Sequence, residues 1–212
     1  VVGDNWLSPP ITMLHGGDPI NVSFDDLTHE YRRYAYRLEH CEADWSVSTE
    51  LFASDFCEGF NEDNIIDDVT ESINTNTLYT HYRLQIPNEN CKIKMSGNYK
   101  LTVYDENTGE EVMNACFMVV DPKVNVRLGV TSNTDIDTNK SHQQVSMDLN
   151  FSGIKVNRFD DEIKTVVMQN GRWDNAVLNA TPQYVTADAA SWNHNKALIF
   201  NAGNECRKFE TL

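Results

Sequence analysis

A histidine stands directly before a cysteine in the stretch RLEHCEADW, residues 37–45. The pair could be a thiol nucleophile with its base, part of a metal site, or the inside of a β-strand. A base must reach the sulfur to activate it, but adjacent side chains of a strand point to opposite faces. His40 and Cys41 could meet only across a β-bulge, and nothing in the spacing brings His81 to the sulfur. We predict that Cys41 is not catalytic.

The best set of metal ligands is His40, Glu42 and Asp44, which would share one face of a strand that continued through them. The same residues make an ordinary polar face, and zinc sites usually contain more histidine or cysteine. The chain lacks the signatures of zinc proteases, phosphate-binding loops, dinucleotide-binding folds and serine hydrolases. We predict no catalytic, cofactor-binding or metal site. A hydrolase with paired carboxylates is a weaker alternative, because no acidic pair stands out by its context.

Residues 135–139, DIDTN, are similar to the beginning of a calcium-binding loop. Lys140 stands where such a loop needs glycine, and Ser146 stands where it needs a bidentate glutamate. We therefore predict a polar loop without calcium at this place.

The five cysteines are widely spaced and form no CxxC pair; they are Cys41, Cys57, Cys91, Cys116 and Cys206. This spacing excludes zinc ribbons and thioredoxin-type motifs, and an odd number in a chain of this size is not a disulfide framework. We favour buried free thiols, with one bridge within residues 41–116 as the alternative.

The charge of the chain excludes several kinds of partner. The 212 residues contain 17 Lys and Arg against 32 Asp and Glu, which gives a formal net charge of −15. Such a surface repels phosphate backbones and anionic membranes, so we predict no nucleic-acid partner. No apolar run approaches the ~20 residues that a membrane span requires, so we also predict no direct membrane insertion.

The elements that must position these residues are mostly β-strands, because short runs rich in Val, Ile, Tyr and Thr alternate with Gly, Asn, Asp and Pro clusters. The predicted strands are Ile20–Phe24, Arg33–His40, Thr80–Ile86, Asn98–Tyr104, Cys116–Val120, Val124–Val130, Gln144–Phe151, Thr165–Gln169 and Ala197–Phe200. A long loop at residues 50–73 is expected to hold one helical turn. The apolar face of the second strand changes at the His40–Cys41 step, which predicts that Cys41 and Trp45 enter the core.

This spacing of strands is typical of antiparallel sandwiches. Residues 104–112 contain an Asn-Thr-Gly corner that predicts a hairpin. Tyr99 is either a tyrosine corner of an immunoglobulin-like sandwich or a plain strand residue. Because proline ends a strand, Asp121-Pro122 predicts a domain boundary. We predict an all-β chain of two consecutive immunoglobulin-like sandwiches, 1–122 and 123–212. The second sandwich is expected to be incomplete, because the chain is expected to be the front part of a longer protein.

Seven short motifs occur in an order that is similar to a known family. They are SFDDL at 23–27, HCEADW at 40–45, GFNEDNI at 59–65, THYRLQIPNEN at 80–90, SGNYKLTVYD at 96–105, FMVVDP at 117–122 and QNGRWDNA at 169–176. Together they resemble the amino-terminal half of the type IX secretion system plug protein family. The resemblance runs from about Pro10 to the end of the chain.

The resemblance implies a non-enzymatic periplasmic protein that closes the periplasmic mouth of a very large outer-membrane β-barrel translocon. It implies no catalytic residues, and the partner-binding residues stay unknown. The alternative function is a carbohydrate-binding or surface-adhesion β-sandwich, because the segments of Trp173 and Trp192 look exposed. Core anchors or loop plugs are nevertheless the commoner roles for isolated tryptophans, which here are Trp6, Trp45, Trp173 and Trp192.

Overall fold

The computed structural model describes residues 10–203. The chain divides into two compact units, Val1–Asp121 (unit 1) and Pro122–Leu212 (unit 2). Both consist mainly of strands, so the all-β prediction is confirmed. Between residues 10 and 203, no helix has the length and apolar character needed to cross a bilayer.

The described part of unit 1 contains ten strands and one short helix. They are β1 (Ile11–Met13), β2 (Ile20–Asp26), β3 (Tyr34–Cys41), α1 (Ala53–Phe56), β4 (Cys57–Gly59), β5 (Asn64–Ile65), β6 (Asp68–Glu71), β7 (Thr80–Ile86), β8 (Cys91–Ile93), β9 (Gly97–Asp105) and β10 (Glu111–Val120). One sheet has the order β1-β10-β9-β3-β5, another has the order β2-β7-β6, and β4 pairs with β8. The β1–β10 pair is parallel, which departs from the antiparallel architecture that we predicted.

The core of unit 1 lies between its two larger sheets, because each sends alternate side chains inward. In β9 the buried apolar residues are Tyr99, Leu101 and Val103, as the alternation predicted, and Thr102 on the opposite face is buried as well. They share one hydrophobic cluster with Tyr82 and Leu84 of the β2-β7-β6 sheet. The inner faces of the two sheets thus form one core.

The described part of unit 2 contains seven further strands. They are β11 (Asn125–Thr131), β12 (His142–Asn150), β13 (Val166–Val167), β14 (Val177–Leu178), β15 (Tyr184–Val185), β16 (Ala189–Trp192) and β17 (Ile199–Asn201), with α2 (Phe159–Glu162) and a 3-10 turn (Lys196–Leu198) between them. The main sheet has the order β11-β12-β16-β15, and β17 also pairs with β12; β13 and β14 form a separate ladder. The buried cluster of unit 2 is built around Met147, Leu149, Phe151 and Trp192.

The hairpin predicted in unit 1 is confirmed, and a hydrogen bond bears on the alternatives left open for Tyr99. Residues 104–112 contain the turn that joins β9 to β10, and Glu111 pairs with Tyr104 across the resulting hairpin. The hydroxyl of Tyr99 donates to the carbonyl of Met95, four residues upstream, at 2.7 Å. That contact has the backbone-closing geometry of a tyrosine corner and favours the first of the two alternatives for Tyr99.

Several strand boundaries were wrong. Residues 50–73 contain the predicted helical turn, α1, but they also form three short strands that were not predicted. The strand predicted at Thr165–Gln169 contracts to Val166–Val167, and Ala197–Phe200 becomes a 3-10 turn followed by β17. Strands of two to four residues are too short to show an alternation of buried and exposed residues. Pairing with a partner strand defines them, and their own sequence does not reveal it.

Candidate functional site

The His-Cys pair lies at the end of β3, and both side chains are buried. His40 Nδ1 lies 2.8 Å from Ser48 Oγ, and that hydroxyl donates to Glu42 Oε1 at 2.5 Å. Because the serine proton is given to the carboxylate, His40 Nδ1 must be the donor to Ser48. A catalytic triad needs the imidazole between the serine and the acid, whereas here the serine lies between them. Ser48 was not identified from the sequence. It lies eight residues after His40, and no pattern in the sequence connects the two.

Cys41 is buried as predicted, and burial raises the pKa of its thiol, which opposes reactivity. Trp45 is not in the core, so that prediction was wrong. It is half-buried at φ 69° in a tight turn that brings Val47 back to pair with Cys41. The strand ends one residue after the histidine, so the chain reverses before the indole can reach the interior.

The three residues that we considered as metal ligands do not stay on one strand face, because β3 ends at Cys41. Asp44 accepts hydrogen bonds from the backbone N–H of Ser46 at 3.0 Å and from its hydroxyl at 2.5 Å. These bonds hold the pKa of Asp44 below its usual value. Among residues 10–203, no grouping of three His, Cys, Asp or Glu side chains could hold a metal ion.

The DIDTN segment is a polar loop, as predicted, and its carboxylates contact donors of the protein itself. Asp135 accepts from Gln144 Nε2 at 2.8 Å, and its other oxygen lies 2.9 Å from His194 Nδ1. Asp137 lies 2.7 Å from His142 Nδ1. That hydrogen bond, with help from neighbouring hydroxyls, lowers the pKa of Asp137 to about 2.

The two tryptophans that looked exposed in the sequence differ sharply. Trp192 is fully buried, and its indole N–H donates to the carbonyl of Ala180 at 2.6 Å, so Trp192 is a core anchor and the exposed appearance of its segment was misleading. Trp173 is 54 % exposed. Trp6, like Cys206 and the chain end at Arg207–Leu212, lies outside the described residues.

Unit 1 carries a groove of about 710 Å³ beside Tyr36 and Asn88. The Asn88 amide donates to the Tyr36 hydroxyl at 2.8 Å, and its oxygen accepts the backbone N–H groups of Asn90 at 3.0 Å and Cys91 at 2.9 Å. Asn88 therefore uses its polar groups to hold the turn after β7. We infer a structural role for this groove lining.

Large apolar side chains are exposed at one end of the β2-β7-β6 sheet, and we call this group the apolar end. Its members are Leu27 (70 % exposed), Tyr31 (55 %), Ile73 (81 %) and Leu78 (47 %). The first two lie in the β2–β3 connection, and the last two lie in the β6–β7 hairpin. Thr80, at the start of β7, pairs with both Asp26 and Glu71, which lie at the ends of β2 and β6. The two loops therefore leave neighbouring strands at the same end of the sheet.

Hydrogen bonds fix the two loops of the apolar end. Ser72 N–H donates to the carbonyl of Tyr79 at 2.9 Å, and His29 Nδ1 lies 3.3 Å from the same oxygen. Asp26, at the base of the β2–β3 connection, is bound by Thr28 and by the Tyr34 hydroxyl. Although partial burial opposes ionisation, these donors keep the pKa of Asp26 below its usual value. The two loops that carry the apolar end are therefore held by hydrogen bonds at their bases.

Unit 2 exposes a second apolar surface along its edge strand β11. Val126, Leu128 and Val130 lie opposite Leu149, Met147 and Val145 in the ladder, so they share the face that carries the core of unit 2. All three are nevertheless exposed. A groove of about 640 Å³ separates this edge from residues 163–168.

Comparison with known protein families gives a match to unit 1. The family model for the first domain of the type 9 secretion system plug protein matches residues 2–121. The chain belongs to the type IX secretion system plug family. The resemblance seen in the sequence motifs is thus confirmed for the amino-terminal domain. No curated protein matches the chain.

A crystal structure of a hypothetical protein from Parabacteroides merdae is similar to almost the whole chain. The two are 42 % identical and superpose with a TM-score of 0.85 over 96 % of this plug-family chain. The match covers 51 % of the Parabacteroides protein. The chain therefore spans about half the length of that relative.

Proposed function

We propose that this plug-family protein is a non-enzymatic periplasmic part of the type IX secretion machinery, which closes the periplasmic mouth of the outer-membrane β-barrel translocon. The observation that carries the proposal is the family match over residues 2–121. Membership of the family supports a role connected with type IX secretion. Closure of the barrel, the periplasmic location and the absence of enzymatic activity are our inferences from that membership.

We also propose that both units are immunoglobulin-like sandwiches, the second of them incomplete. The two facing sheets of unit 1 around one core and the Tyr99 corner support this reading for the first unit. In unit 2 the uncovered inner face of β11 is the feature expected of a sandwich that lacks part of its second layer.

The apolar end is our candidate for the surface that contacts the translocon. It belongs to the unit that the family model matches. Apolar side chains beside carboxylates suit a docking contact that must release when cargo arrives, because polar rims favour reversible interfaces. Hydrogen bonds to Tyr79 and Asp26 already hold the two loops, so docking costs little ordering entropy.

Affinity purification of the tagged full-length protein from its native envelope tests the proposal. We expect a large outer-membrane β-barrel protein to be recovered with it. The double variant Leu27→Asp/Ile73→Asp should lose the barrel, because burial of each side chain is worth ~1.5–3 kcal/mol and a new carboxylate would remove that gain. Leu128→Asp/Val130→Asp is the matched control on unit 2 and should retain it.

The outcomes separate the surface from the function. Recovery of the barrel by both double variants would overturn the assignment of the apolar end while leaving the plug role intact. Loss only in the unit 2 variant would move the contact to β11. Failure of the unmodified protein to recover any barrel, while known envelope complexes survive the same extraction, would overturn the proposed function itself.

The buried polar network of β3 supports a non-enzymatic role. The Ser48 hydroxyl is buried and gives its proton to Glu42. His40 Nε2 faces the carbonyl of Ser96 at 3.4 Å, so neither group is directed toward an incoming substrate. We infer that the network closes the end of the first sheet.

One observation favours the alternative of a carbohydrate-binding module, namely the exposed indole of Trp173. A flat exposed indole can stack on a sugar ring. Glycan-array binding that disappears in Trp173→Ala would support this alternative. An array without binding to the unmodified protein would remove it, and Trp192→Ala is unsuitable as a probe because that ring is buried.

A further inference from the structure

Cys57 and Cys91 place their sulfur atoms 2.8 Å apart in the interior of unit 1. Their strands, β4 and β8, form a short antiparallel ladder in which Gly59 pairs with Cys91 and Cys57 pairs with Ile93. The two thiols lean toward each other diagonally across this ladder, and both are buried. The S–S length of a disulfide is about 2.05 Å. A small movement of the two side chains would therefore bring the sulfur atoms to bonding distance.

The other described cysteines provide an internal contrast. Strand β9 lies between β3 and β10 in the sheet. Cys41 on β3 pairs with Asn98 of β9, and Cys116 on β10 pairs with Lys100 of β9 from the other side. Two strand spacings amount to about 9–10 Å, whereas bridged cysteines have Cα atoms within about 7 Å. Among residues 10–203, Cys41 and Cys116 are therefore too far apart for a bond, whereas the sulfur atoms of Cys57 and Cys91 are in contact. Cys206 lies outside the described residues.

The pair would tie together a part of unit 1 that changes sheets. Between the two cysteines the chain passes from β5, in the five-stranded sheet, to β6 and β7 in the three-stranded sheet. A covalent link across residues 57–91 would limit the freedom of this crossing in the unfolded chain, which is the main way in which disulfides stabilise proteins.

We propose that Cys57 and Cys91 are a modification site, which a thiol–disulfide oxidoreductase converts to a disulfide as the protein folds. One cysteine thiolate attacks the disulfide of the oxidoreductase, forms a mixed disulfide and releases the second oxidoreductase sulfur as a thiolate. The other cysteine thiolate then displaces the remaining oxidoreductase sulfur. In total the two thiols lose two protons and two electrons, and the oxidoreductase disulfide takes up the electrons to become a dithiol.

The finished bond would be protected by its surroundings. Burial and the Cys57 contact raise the pKa of the Cys91 thiol, so thiolate forms poorly once the core has closed. Exchange needs a thiolate and access for the attacking thiol. The bond should therefore form before β4 and β8 are sealed and should resist reductants afterwards.

Alkylation in denaturant after folding tests the inference. The protein is refolded in a glutathione redox buffer, denatured, alkylated and weighed by intact mass spectrometry. We expect three alkylated cysteines among the five, and a linked peptide pair that contains Cys57 and Cys91. Cys41→Ser/Cys116→Ser should keep the linked pair, whereas Cys57→Ser should lose it.

Five alkylated cysteines after oxidative refolding, or a linked pair that involves Cys41 or Cys116, would overturn the inference. Thermal unfolding provides a second readout, because the midpoint of the oxidised protein should exceed that of the reduced protein. The Cys57→Ser variant should show no such difference. Refolding in vitro does not depend on the cellular compartment, so this experiment can fail while the proposed periplasmic function stands, and the reverse also holds.

Discussion

Replacement of Tyr99 by phenylalanine isolates the hydrogen bond that closes the tyrosine corner. The ring is fully buried and stacks on Phe117 at a centroid distance of 5.5 Å, with an edge contact to His40 at 5.2 Å. Phenylalanine keeps both ring contacts. The variant loses only the hydroxyl and its 2.7 Å bond to the carbonyl of Met95.

The expected loss follows from what happens to the Met95 carbonyl. Removal of one partner of a buried hydrogen bond costs ~1–3 kcal/mol, because the other partner is left without a bond. Met95 is half-buried, so water can partly replace the tyrosine. We therefore expect the free energy of unfolding of unit 1 to fall by about 1.5 kcal/mol.

Urea unfolding measures this loss, and Tyr104 provides a matched control on the same strand. The hydroxyl of the half-buried Tyr104 donates to the Asp63 carboxylate at 2.7 Å and accepts the Asp63 backbone N–H at 3.1 Å. Both bonds are exposed to water, which can replace them, so Tyr104→Phe should change stability by less than about 0.5 kcal/mol. With a urea slope of ~2 kcal/mol/M, Tyr99→Phe should lower the unfolding midpoint by about 0.75 M. Equal midpoints for the two variants would refute the role assigned to the corner.

Three further perturbations follow from the described contacts. Trp192→Ala should lower the free energy of unfolding of unit 2 by ~3–5 kcal/mol in chemical denaturation, since the ring is buried and bonded to a carbonyl. Gly97→Ala should cost ~1–3 kcal/mol in the same assay, because a Cβ would lie 2.2 Å from His40 Nε2. Asp137→Asn should destabilise unit 2 above pH 4 and make progressively less difference as the pH falls toward 2, measured by unfolding at several pH values, because the folded pKa is lowered from 3.8 to about 2.

The sign of the pH effect is fixed by which state takes up the proton first. Between pH 4 and pH 2 the Asp137 carboxyl is protonated in the unfolded chain before it is protonated in the folded one, so acid removes its stabilisation. A constant difference between Asp137→Asn and the unmodified protein across this range would contradict the bond to His142.

For Trp192→Ala the control is Trp173→Ala, whose exposed ring predicts little change in stability. For the glycine, unchanged stability would show that the histidine ring can move aside.

Strands with a clear inside and outside were predictable from the sequence. Strand β7 has the predicted bounds Thr80–Ile86, because its buried and exposed residues alternate over a full seven positions. The strands β4 to β6 were missed because they have two to four residues and depend on distant partners. Trp192 illustrates the same limit, since its burial depends on the acceptor at Ala180, which no local pattern reveals.

The candidate surfaces depended even more on tertiary structure. Leu27 and Ile73 occur in polar stretches where a single apolar residue has no particular meaning. Only the pairing of β7 with both β2 and β6 brings their loops to one edge. Cys57 and Cys91 likewise become neighbours through the β4–β8 ladder. In contrast, the family was recognisable from the order of short motifs, because that signal does not require contacts to be known.

The most direct test of the plug assignment is quantitative co-purification of the outer-membrane translocon with the tagged full-length protein from its native envelope. We predict that a large β-barrel protein is recovered with the unmodified protein and with Leu128→Asp/Val130→Asp. Its recovery should fall at least tenfold, equivalent to ~1.4 kcal/mol of binding free energy, with Leu27→Asp/Ile73→Asp. Absence of any large barrel from the unmodified sample, under extraction that preserves known envelope complexes, would contradict the account.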